Sequence, residues 1–386
     1  MMAEWKELTV GDLCDTISDT YRRNDDEVIL VNTSDVLEGK LLNHQAVENQ
    51  SLKGQFKKTF MKDDILYSEI RPANKRYAYV DFEDTERYIA STKLMVLRPR
   101  TDVVLPRFLF AFLSSNYVLA ELQHLAETRS GTFPQITFSS ELAPMPISVP
   151  DFDTQEKIVG MLLSIEGRIQ NNNAINDNLQ AQAQAIYSHM ITEIADDTWS
   201  MGNLSNIAII IMGQSPKGDT YNEQGVGTVF FQGRAEFSFR FPVRRLYTTD
   251  PKRMAKVNDV LMSVRAPVGD INVAYEDCCI GRGLSAIRSK DNHQSFILYT
   301  MFALRERLNV FNGEGTVFGT INRDALNSMP ITIPPKIVMD KFEKIVAPMD
   351  AIIRNNCEEI RYLETIRDTL LPRLMSGEVD VSDIHF

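Results

Sequence analysis

The chain of 386 residues is poor in the side chains from which most metal and nucleophilic sites are built. It has four cysteines and five histidines. Cys14, Cys278, Cys279 and Cys357 form no CxxC pair, and His44, His124, His189, His293 and His385 are scattered. No zinc site or disulfide scaffold is therefore predicted, and a reducing, cytoplasmic setting is expected. No window approaches the ~18 uncharged apolar residues of a membrane span. The start, MMAEWKELTV, lacks the basic and apolar regions of a secretory signal, so none is expected. There is no HExxH, and no DPPY- or NPPF-like tetrapeptide of the kind that grips a base amino group for methyl transfer. GQSPKGD (213–219) resembles a phosphate loop only on the surface, because Asp219 stands where the lysine should be and would repel phosphate. GEGTVFG (313–319) follows no clear strand and opens no helix, which argues against a dinucleotide site. No hidden catalytic triad is nominated by any histidine neighbourhood.

What is present is ordinary globular composition, with 44% hydrophobic and 24% charged residues. The net charge of −11 is unevenly spread. Residues 1–150 carry −5, 151–198 carry −6, 199–334 carry +3 and 335–386 carry −3. The chain as a whole is no histone-like polycation, but a local basic surface is compatible with these figures.

The most informative feature is an internal repeat. DDILYSEIRP (63–72) aligns with NDVLMSVRAP (258–267) at an offset of 195, with Asp64/Asp259, Leu66/Leu261, Ser68/Ser263 and Pro72/Pro267 coinciding. Trp5 aligns with Trp199 at an offset of 194. GTFPQITFSSELAPMPISVP (131–150) aligns with GTVFGTINRDALNSMPITIP (315–334) at an offset of 184, with 7 identities in 20. The chain is one unit of about 190 residues written twice. Each unit opens with mixed short strands and helices. ILVNTSDV, RYAYVDF and STKLMVLRP are β-branched and aromatic, and FLFAFLSSNYVLAELQHLAE (108–127) has helical spacing. PMPISVP and SMPITIPP read as punctuation. The expected divisions are a first globular domain at 1–150, a first long helix at 151–198, a second domain at 199–334, and a second long helix with its tail at 335–386.

The Pro-poor stretches 153–194 and 337–376 read as heptads. Ile158, Ile165, Asn172, Leu179 and Ile186 fall at a in the first, and Phe342, Met349, Asn356, Leu363 and Leu370 in the second. The duplication implies an antiparallel pairing of the two helices. The register of greatest overlap sets Ile158 against Leu374, Leu162 against Leu370 and Ile186 against Val346. It also places Asn176 opposite Asn356, one layer from Asn172 with Ile360. An unpaired buried amide costs ~1–3 kcal/mol, so Asn172, Asn176 and Asn356 are expected to fix the register. Arg367 would face Ile165 and must reach outward, and Pro348 is expected to kink the second helix or detach its first turn.

Two stretches are locally basic at corresponding places. The first runs from Lys53 to Arg76 and includes Lys57, Lys58, Arg71, Lys75 and Arg76. The second runs from Arg234 to Lys256, includes Arg244 and Arg245, and is interleaved with Phe237, Phe239, Phe241 and Tyr247. Basic side chains neutralise phosphates, and arginine can fork onto guanine. Gly131-Thr132, with Gln135 following, and Gly315-Thr316 open a loop before the last strand of each unit. There Gly admits close backbone approach and Thr offers a hydroxyl to phosphate or base edge. Gln232-Gly233-Arg234 combines an amide and a guanidinium, and Arg265 and Arg282 follow in the same unit. Each of these also has a plain structural reading, as a solvated charged face, a capped turn or a surface ion pair.

Two variable globular units, each followed by a long helix, resemble the specificity subunit of type I restriction-modification systems. The stretches that carry the resemblance are SVRAPVGDINVA (263–274), GRGLSAIR (281–288), GTVFGTI (315–321), the MP-I-x-[IV]-P segments and LETIRDTLLPRLMSGEVDV (363–381). One departure is that the usual Gln opening the helix is Gln155 in the first copy but Met339 in the second. The resemblance implies an α+β fold of two target recognition domains, related by a pseudo-two-fold and separated by an antiparallel pair of helices. Each domain would read one half of a split, asymmetric DNA sequence. The helices would dock two modification subunits, which carry S-adenosylmethionine and methylate adenine; restriction subunits would bring ATP and Mg. This chain would itself hold no cofactor and perform no catalysis. Two other readings remain at this point: a coiled-coil scaffold with duplicated protein-binding domains, and an enzyme with an unrecognised site.

Overall fold

The computed structural model describes residues 5–23, 25–49, 54–129, 134–195, 199–312 and 319–384. It divides into two compact units. The first comprises residues 1–169 and 362–386, the second residues 170–361. Each unit therefore contains one globular domain and one part of each of two long helices, Phe152–His189 and Lys336–Met375.

The centre of the first unit is an antiparallel sheet in the order Cys14–Ile17, Leu94–Pro99, Ile65–Ser68, Tyr77–Tyr79. Its middle strands are apolar on both faces because both faces are covered. Ile65, Tyr67, Met95 and Leu97 point to a core shared with the helices Pro106–Leu113 and Asn116–Arg129. Leu66, Leu94 and Val96 alternate to the other side and pack on a second sheet. That sheet is ordered Val47–Glu48, Glu27–Val31, Tyr88–Ser91, Phe56–Lys58, with the middle pair parallel. FLFAFLSSNYVLAELQHLAE is two helices rather than one. The chain breaks at Ser114-Ser115, and the Ser115 hydroxyl accepts the N–H of Val118 at 3.2 Å as a cap.

The second unit repeats the plan. Its central sheet runs Ala208–Met212, Leu284–Ser289, Val260–Ser263, Ile271–Val273. A five-stranded mixed sheet again contains one parallel pair, Phe230–Phe231 beside Cys279–Ile280. The equivalence extends to buried charge. Arg98 binds both oxygens of Asp64 at 2.8 and 2.7 Å, and Arg288 binds both oxygens of Asp259 at 2.7 Å. Each aspartate is 1% exposed and also caps the turn before its strand, accepting from Met61 N or Lys256 N at 2.8 Å.

The proline-flanked segments are strands as well as punctuation. Pro146–Val149 pairs antiparallel with Lys6–Thr9, and Pro330–Ile333 with Ser200–Asn203. Just before them the copies differ by one residue. Gln135 and Thr320 occupy equivalent bridges, an offset of 185, whereas Met145 N and Met329 N donate the same local bond to Leu142 O and Leu326 O, an offset of 184. The extra residue of the first copy is absorbed in a π turn, Phe138–Leu142, where the second copy has the α turn Arg323–Asn327.

The long helices pair antiparallel within each unit. In the first unit Ile158 and Leu162 share a core with Leu370, Leu371 and Leu374. In the second, Ala183, Ile186 and Met190 join Phe342, Val346 and Met349. Asn356 Nδ2 donates to Asn176 Oδ1 at 2.9 Å, and Asn176 is 1% exposed. Asn172, expected opposite Ile360, donates to Glu359 Oε2 at 3.0 Å instead. Arg367 is half-buried and pairs with Asp368. The expected break at Pro348 does not occur, and the helix is continuous through it. Pro348 and Lys344 are both exposed, so the carbonyl that loses its partner faces water.

Gln155 is 1% exposed and ties the first long helix to its own domain. Its Oε1 accepts Leu105 N at 2.8 Å, and its Nε2 donates to Pro150 O at 2.9 Å. Met339 cannot do this. One turn later Glu343 takes over the task, accepting Ser295 N at 3.0 Å and Phe296 N at 3.2 Å at the start of helix Gln294–Ala303. Burial pushes the Glu343 carboxyl up, and those two N–H groups pull it back.

Candidate nucleic-acid interface

In the second unit, three backbone segments meet edge to edge because glycine lets them. A Cβ at Gly213 would stand 2.1 Å from Gly281 O, and one at Gly283 would stand 2.8 Å from Gln232 O. The strand Val260–Ser263 then enters a tight turn. Ser263 Oγ donates to Pro267 O at 2.7 Å and accepts from Asp270 N at 2.9 Å. The turn is fastened on both sides. Val264 N donates to Gly283 O at 2.9 Å, Ala266 N to Gly319 O at 2.9 Å, and Arg265 bridges Thr320.

These constraints bring Gln232, Arg234, Arg265 and Arg282 to one cleft of about 250 Å3, together with Gly233, Ser263, Ala266 and Gly283. Their backbones are pinned and their side chains are exposed. Arg234 pairs with Asp270, which also meets Arg305 at 3.3 Å. Among the described residues, the Arg265 and Arg282 guanidiniums have no ionic partner. The cleft thus offers an amide and two uncommitted forks, a donor set suited to base edges and phosphates.

The other basic candidates of this unit lie outside the cleft lining. Arg244 Nε meets Glu276 at 2.5 Å, and Arg245 meets Glu236 at 2.8 Å and Glu223 at 3.2 Å. The aromatic-basic stretch is thus largely neutralised by its own acids.

In the first unit the equivalent turn is Glu69–Arg76. Ile70 bridges Gln135, and Arg71 N donates to Pro134 O at 3.1 Å. Arg71 and Lys75 flank a short 3-10 turn, both in the left-handed region with φ of 46° and 53°. Non-glycine residues adopt that conformation at some cost, so the turn is held by its surroundings. Gln123 Oε1 accepts Ala73 N at 3.0 Å and supplies part of that hold. Lys75 reaches Glu38 at 3.2 Å, and Arg76 donates to Ser34 O at 3.0 Å and Val36 O at 3.3 Å. Lys58 turns inward to Leu94 O at 2.7 Å and Thr92 O at 3.2 Å, and burial lowers its pKa. Lys57 is exposed on the same strand. Thr132 and Thr316 lie outside the described residues.

Among the described residues no group of three His, Cys, Asp or Glu side chains could hold a metal ion. All four cysteines are free thiols, and burial pushes Cys14 and Cys278 up to about 12. Among the described residues no helix is long and apolar enough to cross a membrane.

A duplicated α+β domain, each copy tied to its own segments of two long helices and presenting exposed basic side chains on a pinned turn, defines a protein built of two like units. The chain belongs to the family of type I restriction-modification DNA specificity proteins: the model of the type I restriction modification DNA specificity domain matches it twice, at residues 2–181 and 196–364. It is similar to the type I restriction enzyme HindI specificity subunit of Haemophilus influenzae, at 28% identity over 98% of this chain and 100% of that protein. A type I restriction enzyme specificity subunit of Methanocaldococcus jannaschii, MjaX, is also 28% identical, over 82% of this chain and 79% of its own length. The crystal structure of the S subunit of a type I restriction-modification system from M. genitalium shares the fold with a TM-score of 0.56 at 16% identity, covering 97% of this chain and 96% of that one.

Proposed function

We propose that this chain is the sequence-reading subunit of a type I restriction-modification complex, and that it reads a DNA target in two unlike parts. The observation that carries the reading is the turn apparatus found twice, with Arg265 against Thr320 in one copy and Ile70 against Gln135 in the other. The scaffold is the same while the side chains presented differ, which is what an asymmetric target requires. The second unit reads its half through Gln232, Arg234, Arg265 and Arg282. The first uses Arg71, Lys75, Arg76 and Gln135, with Lys57 on the backbone. The relatives are described as specificity subunits, which supports a chain without catalysis of its own. Methyl transfer to adenine belongs to two modification subunits that bring S-adenosylmethionine and dock on the long helices. Cleavage belongs to restriction subunits that use ATP and Mg.

The test is methylome sequencing of a host carrying this chain and its modification subunit. The expected result is a methylated motif in two parts that vanishes when the chain is deleted. A motif that persists without the chain would overturn the reading. Binding of the assembled complex to DNA should also weaken steeply with salt as counterions are released. A salt-independent association would favour a protein scaffold instead.

A further inference from the structure

Arg240 lies in the loop that joins Phe231 to Leu246, six residues after Arg234. It is 2% exposed, unusual for an arginine. Its guanidinium spans both long helices. Nη1 donates to Asp350 Oδ1 at 2.9 Å on the second helix, and Nη2 donates to Gln180 Oε1 at 3.0 Å on the first. Tyr299 Oη donates to the same Asp350 oxygen at 2.9 Å, and among the described residues Arg240 Nε has no partner. The Arg240 carbonyl accepts Val273 N at 2.8 Å. In the same strand Asn272 grips the loop at Ser238, accepting its N–H at 3.3 Å and donating to its carbonyl at 2.8 Å. Asp270, next to that strand, holds Arg234. A contiguous path of bonds therefore runs from the helix pair through Arg240 to the cleft.

A second link lies alongside. Arg354 of the second long helix donates to Asn258 Oδ1 at 3.0 Å and to Tyr275 O, and its guanidinium covers the Tyr275 ring at 4.1 Å. The first unit is built differently here. Asp63 N donates to Val80 O as Asn258 N does to Ala274 O, so Asp81 takes the place of Tyr275. Asp81 instead meets Arg107, 3.9 Å away on a helix of its own domain.

Resting on the reading of the cleft as a DNA-contacting surface, we propose that Arg240 is a positioning residue for the second half-site. It fastens the loop that carries Gln232 and Arg234 to both long helices, and Asp350 and Gln180 are its anchors. Reading geometry must be held to a fraction of an ångström by such supports, or selectivity falls with placement.

The test uses the assembled complex and short duplexes carrying the methylated motif, with single-base changes in either half. Arg240→Met is expected to bring methylation of second-half variants about tenfold closer to that of the intact motif, with discrimination in the first half unchanged. Arg240→Lys, which can keep Asp350, should fall between. A merely structural role would lower all rates together and leave both ratios alone, and that result overturns the proposal. If Arg240→Met does not assemble, Asp350→Asn carries the same comparison, and an unchanged second-half ratio there also overturns it. Arg265→Ala separates the two levels. If it loses second-half discrimination while Arg240→Met keeps it, positioning is wrong and the cleft is right. If neither changes it, the reading of the cleft falls, and the positioning role with it.

Discussion

Replacing Arg265 or Arg282 by alanine should cost the second half-site and little else. Both side chains are exposed on pinned backbone and have no internal partner to give up among the described residues. A bidentate fork on guanine is worth ~1–3 kcal/mol of discrimination, which is about 5- to 150-fold in affinity. Arg234 should lose less. Its guanidinium already pairs with Asp270, and an exposed pair is worth ~0.2–1 kcal/mol, which DNA binding must first displace. The expected order of loss is therefore Arg265 and Arg282 ahead of Arg234. Folding should be unaffected, since no contact that stabilises the chain is removed, and the change stays within about 0.5 kcal/mol. The assay is competition between duplexes differing at one base, repeated across salt concentrations. A residue on a base changes the preference at one position. A residue on a phosphate weakens all duplexes alike and lowers the salt slope by about one. An Arg265→Ala complex with unchanged preference and unchanged slope would refute the assignment.

Three further outcomes follow from the packing. Asn176→Ala should destabilise the helix pair by ~1–3 kcal/mol, and a double-mutant cycle with Asn356→Ala should show ~0.5–1.5 kcal/mol of coupling in urea unfolding; zero coupling would contradict the polar layer. Arg288→Met strands the buried Asp259 carboxylate and should cost ~3 kcal/mol, the low end for such pairs because Arg288 is one-third exposed to water. Hydrogen exchange should then rise in Val260–Ser263 and Leu284–Ser289, whereas Arg98→Met should affect Ile65–Ser68 and Leu94–Pro99; the same strands responding to both would be inconsistent with two separate pairs. Glu343 has a raised pKa when folded, so its stabilising share is full below its ordinary value of 4.5 and is withdrawn as pH rises through the raised value. Glu343→Gln should flatten that part of the profile of Tm against pH, and an identical profile would show that the group does not titrate there.

The duplication made much of the architecture legible. Asp64/Asp259 and Ser68/Ser263 coincide because each holds the same ion pair or the same turn in its own copy. The heptads of Asn176 and Asn356 were readable because a helix seam depends only on spacing. What sequence could not show was which basic side chains face inward. Lys58 and Arg240 look like their exposed neighbours until the carbonyls of Thr92 and Leu94, or Asp350 and Gln180, come from distant parts of the chain to meet them. Arg244 and Arg245 were neutralised by Glu276 and Glu223, which lie outside the basic stretch, and by Glu236 within it, whose burial against Arg245 no local count reveals. The coincident Asp64 and Asp259, set against Arg98 and Arg288, were the one signal that could have revealed the buried pairs. The shift from an offset of 185 to 184 was hidden for a different reason, since a π turn takes in a residue without leaving a gap that identity counting would notice.

The short ribbons at the base of each domain have an evolutionary consequence. Lys6–Thr9 lies against Pro146–Val149, and Ser200–Asn203 against Pro330–Ile333, so each domain enters and leaves through one doorway. The backbone bonds across that doorway do not depend on what lies between. A genetic exchange with both breakpoints in the ribbon codons would transplant a whole reading head while leaving the seam of the long helices intact. The junction would be judged by four main-chain pairings and by the few contacts each head makes to the long helices, such as Gln155 to Leu105 and Arg240 to Asp350 and Gln180. Inheritance of new recognition could then proceed by exchange of intact heads, with point mutation left to refine them.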